Sequence, residues 1–483
     1  MDRRSTLAII VVSFLYLLLR FVYPETIEFG YDQPRLAISI NNFLEKGNFI
    51  NSQSFSVESP WGNFSWGPML TFLYSPFLAV SKNPITASCL IALTNLLSVV
   101  VVLFIGWKFF GRRVGVISGI LLATQPWWII FSRMIYQPAL IPTIIAFSML
   151  SLFMTLKKPK SFWVATLVFS WGILLQTYLI TFSFILTSVV ILFIGLRNKI
   201  WSKKYFSFGI ILNLIIYLPS LYFYIQNPEM FLRFFQAAGK YGSSFVETIK
   251  NFVSIISGGG FNWQLGYGYK EFLGGLGRLG AIFQITAGIV LPLILYGCYL
   301  AVKTKNLFIS SLVLFLFAPL WAIPLIGVEY VVPRYFLYTM PSFCLVLGYS
   351  IENLVKKFGK GFLVVPLLIS AAWILITVKY FVFIKTYSYP NGFLSHFSDV
   401  PYSFIDKSFG WISDDATGKG YRGFLVEPPN QASYYYINYI LERKEIDRNA
   451  PHGNYKIQFS PASQDTPEDY AQFGPYIVYE VKN

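Results

Sequence analysis

The sequence predicts an all-α polytopic membrane protein of about eleven transmembrane helices, with a small α/β extracytoplasmic C-terminal domain. Three observations predict it. Of 483 residues, 55% are hydrophobic, 19% aromatic and only 13% charged, and that few charges cannot cover a soluble surface. Apolar runs of about 20 residues, the length that crosses a bilayer core, recur along most of the chain. Lysines and arginines gather in the short turns between those runs.

Met1 to Arg4 form a short basic tag and Ser5 to Tyr23 the first span. Arg20-Phe21-Val22-Tyr23 is no small-residue cleavage site, so this span reads as retained rather than as a signal peptide. Further spans are expected near 84–107, 114–132, 138–156, 161–178, 179–196, 205–224, 281–302, 306–325, 335–352 and 361–384. The basic clusters lie between them: Lys108 with Arg112-Arg113, Lys157-Lys158 with Lys160, Arg197 to Lys204, Lys303 with Lys305, and Lys356-Lys357 with Lys360. By the positive-inside rule all of these are cytoplasmic. The N-terminus is then cytoplasmic and the C-terminal segment outside, in a plasma (inner) membrane. The run 68–82 is short and broken by Pro76. Were it to cross, every later basic cluster would move outside, so it reads as a juxtamembrane or re-entrant helix.

Residues 1–385 thus form a membrane domain with two outer loops, 24–83 and the glycine-rich 226–280, and residues 386–483 an outer α/β domain. In that tail, 422–426, 455–459 and 476–480 read as strands and 432–443 as a helix. The net charge of +15 comes from the inter-span turns, which argues against nucleic acid as a partner. Cys89, Cys298 and Cys344 are scattered in apolar runs, and the two histidines, His396 and His452, lie outside the spans. No disulfide framework, metal site or cofactor is expected, and nothing supports a divalent ion.

The chemistry-bearing residues concentrate in the first outer loop. Glu25, Glu28 and Tyr31-Asp32-Gln33-Pro34-Arg35 follow the first span directly, then comes an amphipathic stretch to Asn48, then Trp66-Gly67-Pro68-Met69-Leu70. Asp32 suits a helix N-cap, a role compatible with catalysis. Arg35 shares a helix face with it if the segment is helical. Arg133 and Arg334 fall at outer ends of spans, where anchoring and ligand contact are both open to them. Tyr31, Trp66 and Tyr136 suit either the interfacial aromatic belt or stacking on a substrate.

The ordered set Asp32-x-x-Arg35, Leu44 to Asn48 and Trp66 to Leu70 resembles the first outer loop of GT-C membrane glycosyltransferases. Similar members are the protein O-mannosyltransferases, the aminoarabinose transferases of lipid A and the lipopolysaccharide-core transferases. Ser132 to Pro142 and Leu218-Pro219-Ser220 add to the resemblance, which covers about residues 5–230, thins to 384 and is absent beyond. It implies an inverting transfer of a hexosyl or pentosyl group from a polyprenyl-phosphate donor to a hydroxyl of a glycan, lipid or protein acceptor. Asp32 would be the general base. Arg35, Arg133 and Arg334 would bind the donor phosphate. Membrane lipid is the surrounding partner. A Glu-Lys-Pro-Pro-type motif of several relatives is replaced here by Ser65-Trp66-Gly67-Pro68, and Glu58 is the nearby carboxylate that would supply an additional acid. The competing readings are a transporter or flippase of lipid-linked glycans, which would carry mid-span ionisable residues, and a non-catalytic membrane scaffold.

Overall fold

The computed structural model describes residues 3–29, 32–47, 56–59, 62–65, 68–197, 202–226, 228, 244–326, 331–387, 402–419, 421, 423–427, 452–459, 470–473 and 476–481. Its helices, in chain order, begin with α1 (Arg3–Phe21), α2 (Asp32–Lys46), α3 (Met69–Val80), α4 (Pro84–Phe110), α5 (Arg112–Thr124) and α6 (Pro126–Phe131). They continue with α7 (Ile141–Lys157), α8 (Trp163–Thr177), α9 (Phe182–Leu196), α10 (Lys203–Gln226), α11 (Phe245–Ile256) and α12 (Phe261–Leu265). The last six are α13 (Tyr269–Leu276), α14 (Ile282–Thr304), α15 (Leu307–Ile326), α16 (Met340–Phe358), α17 (Val364–Thr386) and α18 (Tyr402–Gly418). Each expected span coincides with helix, and among the described residues seven segments are long and apolar enough to cross a membrane by length and composition. The chain is a multi-pass membrane protein. α3 has 12 residues and so reaches only about 18 Å.

Two expected spans are less regular than their sequence suggested. The run 114–132 is broken at Gln125, whose backbone is extended before Pro126; proline lacks an N–H and crowds a preceding helical residue. The run 335–352 opens as a 3-10 turn, Pro333–Thr339, before α16 begins. α4 and α5 pack face to face through Gly106 and Gly115. A Cβ on Gly115 would stand 2.4 Å from the Leu103 carbonyl oxygen, so the approach depends on bare backbone, as small-residue helix contacts in membranes do.

The expected glycine-rich loop is largely helical where it is described, from α11 to α13. Gly258 to Gly260, Gly266 and Gly277 sit at the breaks between helices, while Gly274 and Gly275 lie within α13. Gly258 and Gly260 adopt φ of 83° and 87°, the left-handed region that glycine enters without steric cost. Buried side chains stitch this turn to the bundle. Gln125 Nε2 donates to the Ile255 carbonyl at 3.1 Å and Trp373 Nε1 to that of Ser257 at 3.1 Å. Trp127 Nε1 donates to the Gly259 carbonyl.

Near the C-terminus, β3 (Gly423–Glu427), β4 (His452–Phe459), β5 (Ala471–Phe473) and β6 (Tyr476–Glu480) form a sheet ordered β3-β4-β6-β5. β3 and β4 run parallel, whereas β6 pairs antiparallel with both β4 and β5. α18 covers it. Ile405, Phe409, Ile412 and Ala416 are buried at helical spacing, a pattern present in the sequence but not read from it. The helix expected over 432–443 lies outside the described residues. A separate two-stranded ribbon, β1 (Ser56–Ser59) with β2 (Gly62–Ser65), lies in the first outer loop.

Candidate active site

The first outer loop is held from several sides. α2 buries Gln33, Leu36, Ala37, Ile40 and Asn41, positions i, i+3, i+4, i+7 and i+8 of an amphipathic helix. It packs on α3, with Phe43 edge-on to Phe72 at 5.9 Å, and Lys82 beyond α3 pairs with Glu45 at 2.7 Å. Asp32 is the first residue of α2, where a carboxylate complements the positive end of the helix dipole.

Asp32 and Tyr136 meet. The Tyr136 hydroxyl donates to Asp32 Oδ2 at 3.2 Å. Tyr136 is itself fixed, because its carbonyl accepts a bond from the buried Tyr74 hydroxyl. The Arg334 guanidinium lies 5.4 Å from the centre of the Tyr136 ring, a cation–π distance. Arg334 is half-buried at the start of the 3-10 turn, within electrostatic reach of Asp32, Tyr178 and Tyr335. The Tyr178 hydroxyl is buried beside it, within reach of the Arg334 guanidinium. Arg35 lies three residues after Asp32, also half-buried.

Glu28 brings a second carboxylate close. Gln264, on α12, donates to it, and Glu28 is within electrostatic reach of Tyr136 and Tyr380. The sequence placed the extra acid at Glu58 instead. Glu58 lies on the ribbon strand opposite Asn63, and its side chain, like Tyr31 and Trp66 entirely, lies outside the described residues. Gln264, Tyr178 and Tyr335 were missed because they come from distant segments that carry no motif; the only signal was polar side chains at outer ends of apolar runs.

Arg133 joins a different structure. It is 3% exposed, and its Nη1 donates to the carbonyls of Tyr23 at 3.0 Å and Val22 at 3.2 Å. Its Nη2 donates to Thr26 Oγ1 at 2.7 Å, and its guanidinium lies 4.1 Å from the centre of the Phe381 ring. Val22 and Tyr23 directly follow α1. Arg133 therefore ties the end of α1 to the bundle. Beside it, Glu25 pairs with Lys385 at 3.0 Å. Burial pushes the Glu25 carboxyl up, but its own backbone N–H with Lys385 and Arg133 outweighs burial and holds it below the usual range. Among the described residues no group of three or more His, Cys, Asp or Glu side chains could hold a metal.

The whole fold is shared with solved membrane glycosyltransferases of the GT-C type. ArnT, the aminoarabinose transferase from Cupriavidus metallidurans, solved bound to undecaprenyl phosphate, superposes with TM-score 0.61 at 12% identity over 98% of this chain and 97% of that one. AglB, the oligosaccharyltransferase of Archaeoglobus fulgidus, solved with an inhibitory peptide and a dolichol-phosphate, gives TM-score 0.50 at 13% identity over 91% of this chain and 59% of that one. The A. fulgidus oligosaccharyltransferase tethered to an acceptor peptide gives TM-score 0.52 at 11% identity over 95% and 69% of the two chains. At these identities the likeness is one of fold. No protein-family model and no curated protein matches the chain by sequence.

Proposed function

We propose that this protein is a membrane glycosyltransferase that moves a sugar from a polyprenyl-phosphate donor to an acceptor hydroxyl, with inversion at C1 and Asp32 as general base. The observation that carries the reading is the meeting of Asp32, Tyr136 and Arg334: an acid, a hydroxyl and a cation at one place on a membrane fold. The lipids bound in the fold neighbours, undecaprenyl phosphate and dolichol-phosphate, support the donor class.

In the proposed reaction the acceptor oxygen attacks C1 from the face opposite the phosphate. Its proton passes to an Asp32 carboxylate oxygen as the new C1–O bond forms. The bond from C1 to the phosphate oxygen breaks, and the electron pair leaves with the polyprenyl phosphate. Phosphate is already a good leaving group, so the protein's task is to activate the acceptor and hold the developing charge. Arg334 and Arg35 hold that charge, and the Tyr178 hydroxyl donates to a phosphate oxygen. Arg133, directed at the end of α1, positions the loop that carries Asp32. Tyr136 keeps the Asp32 carboxylate aimed.

The reaction takes place on the outer side of the membrane, with the N-terminus cytoplasmic and residues 386–483 outside as a separate domain. Cysteine probes at Lys82 and Asp414 label from the outer face only; labelling of either from the cytoplasm alone reverses the map. The decisive chemical test is Asp32→Asn, which keeps shape and removes proton acceptance. Turnover falls at least about 100-fold, the scale of a lost general base, while undecaprenyl phosphate still binds. Near-normal transfer in the variant removes Asp32 from the base role.

A further inference from the structure

Between α1 and Asp32 the described residues include the 3-10 turn Pro24–Thr26, and Thr26, Ile27 and Phe29 are buried. Other elements hold this connector. Arg133 takes the carbonyls at its start and Thr26, Lys385 takes Glu25, and Gln264 takes Glu28. All three belong to the membrane part of the chain.

The fourth hold comes from the C-terminal sheet's own helix. The backbone N–H of Tyr402, the first residue of α18, donates to the Ile27 carbonyl at 3.0 Å. A first-turn N–H has no partner within its helix, so this bond satisfies a group at each end. The Tyr402 ring stands edge-on to Phe29 at 5.4 Å and is 0% exposed. Its hydroxyl donates within α18, to Asp406 at 3.0 Å, leaving the ring as the contacting surface. Ile27 and Phe29 are five and three residues from Asp32, too close for one to shift and the other to stay. α18 in turn is anchored to the sheet. Lys419, one residue past its end, bridges Asp415 at 2.8 Å and Glu480 of β6 at 2.7 Å.

We propose that Tyr402 is a positioning residue for Asp32: through Ile27 and Phe29, the C-terminal sheet and its helix set the place of the acid on which transfer depends. The C-terminal part then acts on the reaction without contributing a reacting group. The inference rests on the reading of Asp32 as base. It requires that loosening Tyr402 alter turnover far more than donor binding, because the main phosphate contact, Arg334, comes from the Pro333–Thr339 turn, which the connector does not carry.

The test uses the full-length protein in lipid nanodiscs, with undecaprenyl phosphate as the binding probe and transfer followed from the polyprenyl-phosphate sugar that the parent protein turns over. Tyr402→Ala lowers kcat about tenfold, leaves the undecaprenyl phosphate Kd within about twofold, and speeds amide exchange over residues 26–36. Tyr402→Phe, which keeps the ring, restores all three readouts to near the parent values. In an Asp32→Asn background, Tyr402→Ala produces no further fall, since there is no base left to misplace. Unchanged exchange over 26–36, or an undiminished kcat, overturns the inference, as does an equal fall in both backgrounds. Should Tyr402→Ala fail to fold, Phe29→Ala opens the same contact from the other side and is read by the same three measurements. Should Asp32→Asn itself retain normal transfer, the base reading fails, and the amide exchange still decides whether Tyr402 holds the connector.

Discussion

The hydroxyl of Tyr136 donates to Oδ2 of Asp32 across 3.2 Å although the two residues are 104 apart in sequence. One belongs to the connector between α6 and α7 and the other opens α2. Their meeting converts a short sequence motif into an oriented carboxylate. Tyr136→Phe removes the donor and keeps the ring beneath Arg334. We expect turnover to fall about tenfold, on the scale of one buried hydrogen bond to a charged group, about 1.5 kcal/mol or more, with undecaprenyl phosphate affinity little changed. Steady-state kinetics beside a binding isotherm checks it.

Arg334 lies within electrostatic reach of Asp32 and Arg35 follows it by three residues, and their proposed roles are separable. Arg334→Ala weakens undecaprenyl phosphate binding and turnover together, because the Tyr178 hydroxyl also loses the cation beside it. Arg334→Lys recovers only part, since a point charge does not reproduce a planar fork. Arg35→Ala gives the smaller of the two losses in affinity. Equal affinity in the Arg334→Ala variant and the parent takes Arg334 out of the donor site.

Arg133 should behave as a structural residue. Removing it takes away the Arg133 bonds to the Val22 carbonyl and to Thr26 Oγ1 and one of the bonds to the Tyr23 carbonyl, which keeps those from Thr26; a buried group left unpaired costs about 1–3 kcal/mol. Arg133→Ala is expected to lower the thermal transition sharply in purified protein. Arg133→Lys regains little, because one ammonium cannot reach both carbonyls and Thr26 Oγ1. A variant with normal stability and selectively poor donor binding would return Arg133 to the phosphate site.

The ion cluster that fastens α18 to the sheet gives a pH prediction. Burial raises the Asp415 carboxyl, but bonds from Lys419 and Tyr455 outweigh it and hold its folded pKa low. Its contribution is therefore full above the unfolded value of about 3.9 and is lost as pH falls through the depressed folded value. Lys419 is raised by its bonds to Asp415 and Glu480. Its contribution is full below about 10.4 and is lost as pH climbs through the raised folded value. Amide protection at α18, corrected for the intrinsic pH dependence of exchange, should be flat through the neutral range and fall at both extremes. Lys419→Met should remove the alkaline limb and shrink the acid one, since the Tyr455 hydroxyl still donates to Asp415.

The membrane spans were legible because a bilayer imposes a single condition, enough apolar length, and local sequence satisfies it. The strand near 455–459 was legible from alternation, and that near 476–480 from its run of aromatic and β-branched residues, for the same local reason. The breaks at Gln125-Pro126 and within 333–339, and the helices of the 245–281 segment, depended on what packs beside them. Glycine content alone could not separate a loose loop from short helices joined at Gly258, Gly260 and Gly277.

Asp32 itself was readable from its sequence: an acid directly after a span, at a helix start, three residues ahead of an arginine. Its surroundings were not. Arg133 and Arg334 look alike in sequence, each an arginine at the outer end of an apolar run. The tertiary structure separated them, turning Arg133 onto the carbonyls of α1 and Arg334 onto Tyr136. It also brought Gln264 to Glu28 and Tyr402 to Ile27, from 236 and 375 residues away. Local sequence determines which segments are helical and apolar, because those preferences act within a few residues. Partners across hundreds of residues are chosen only when helices pack and each buried polar group must find a bond in the geometry that results.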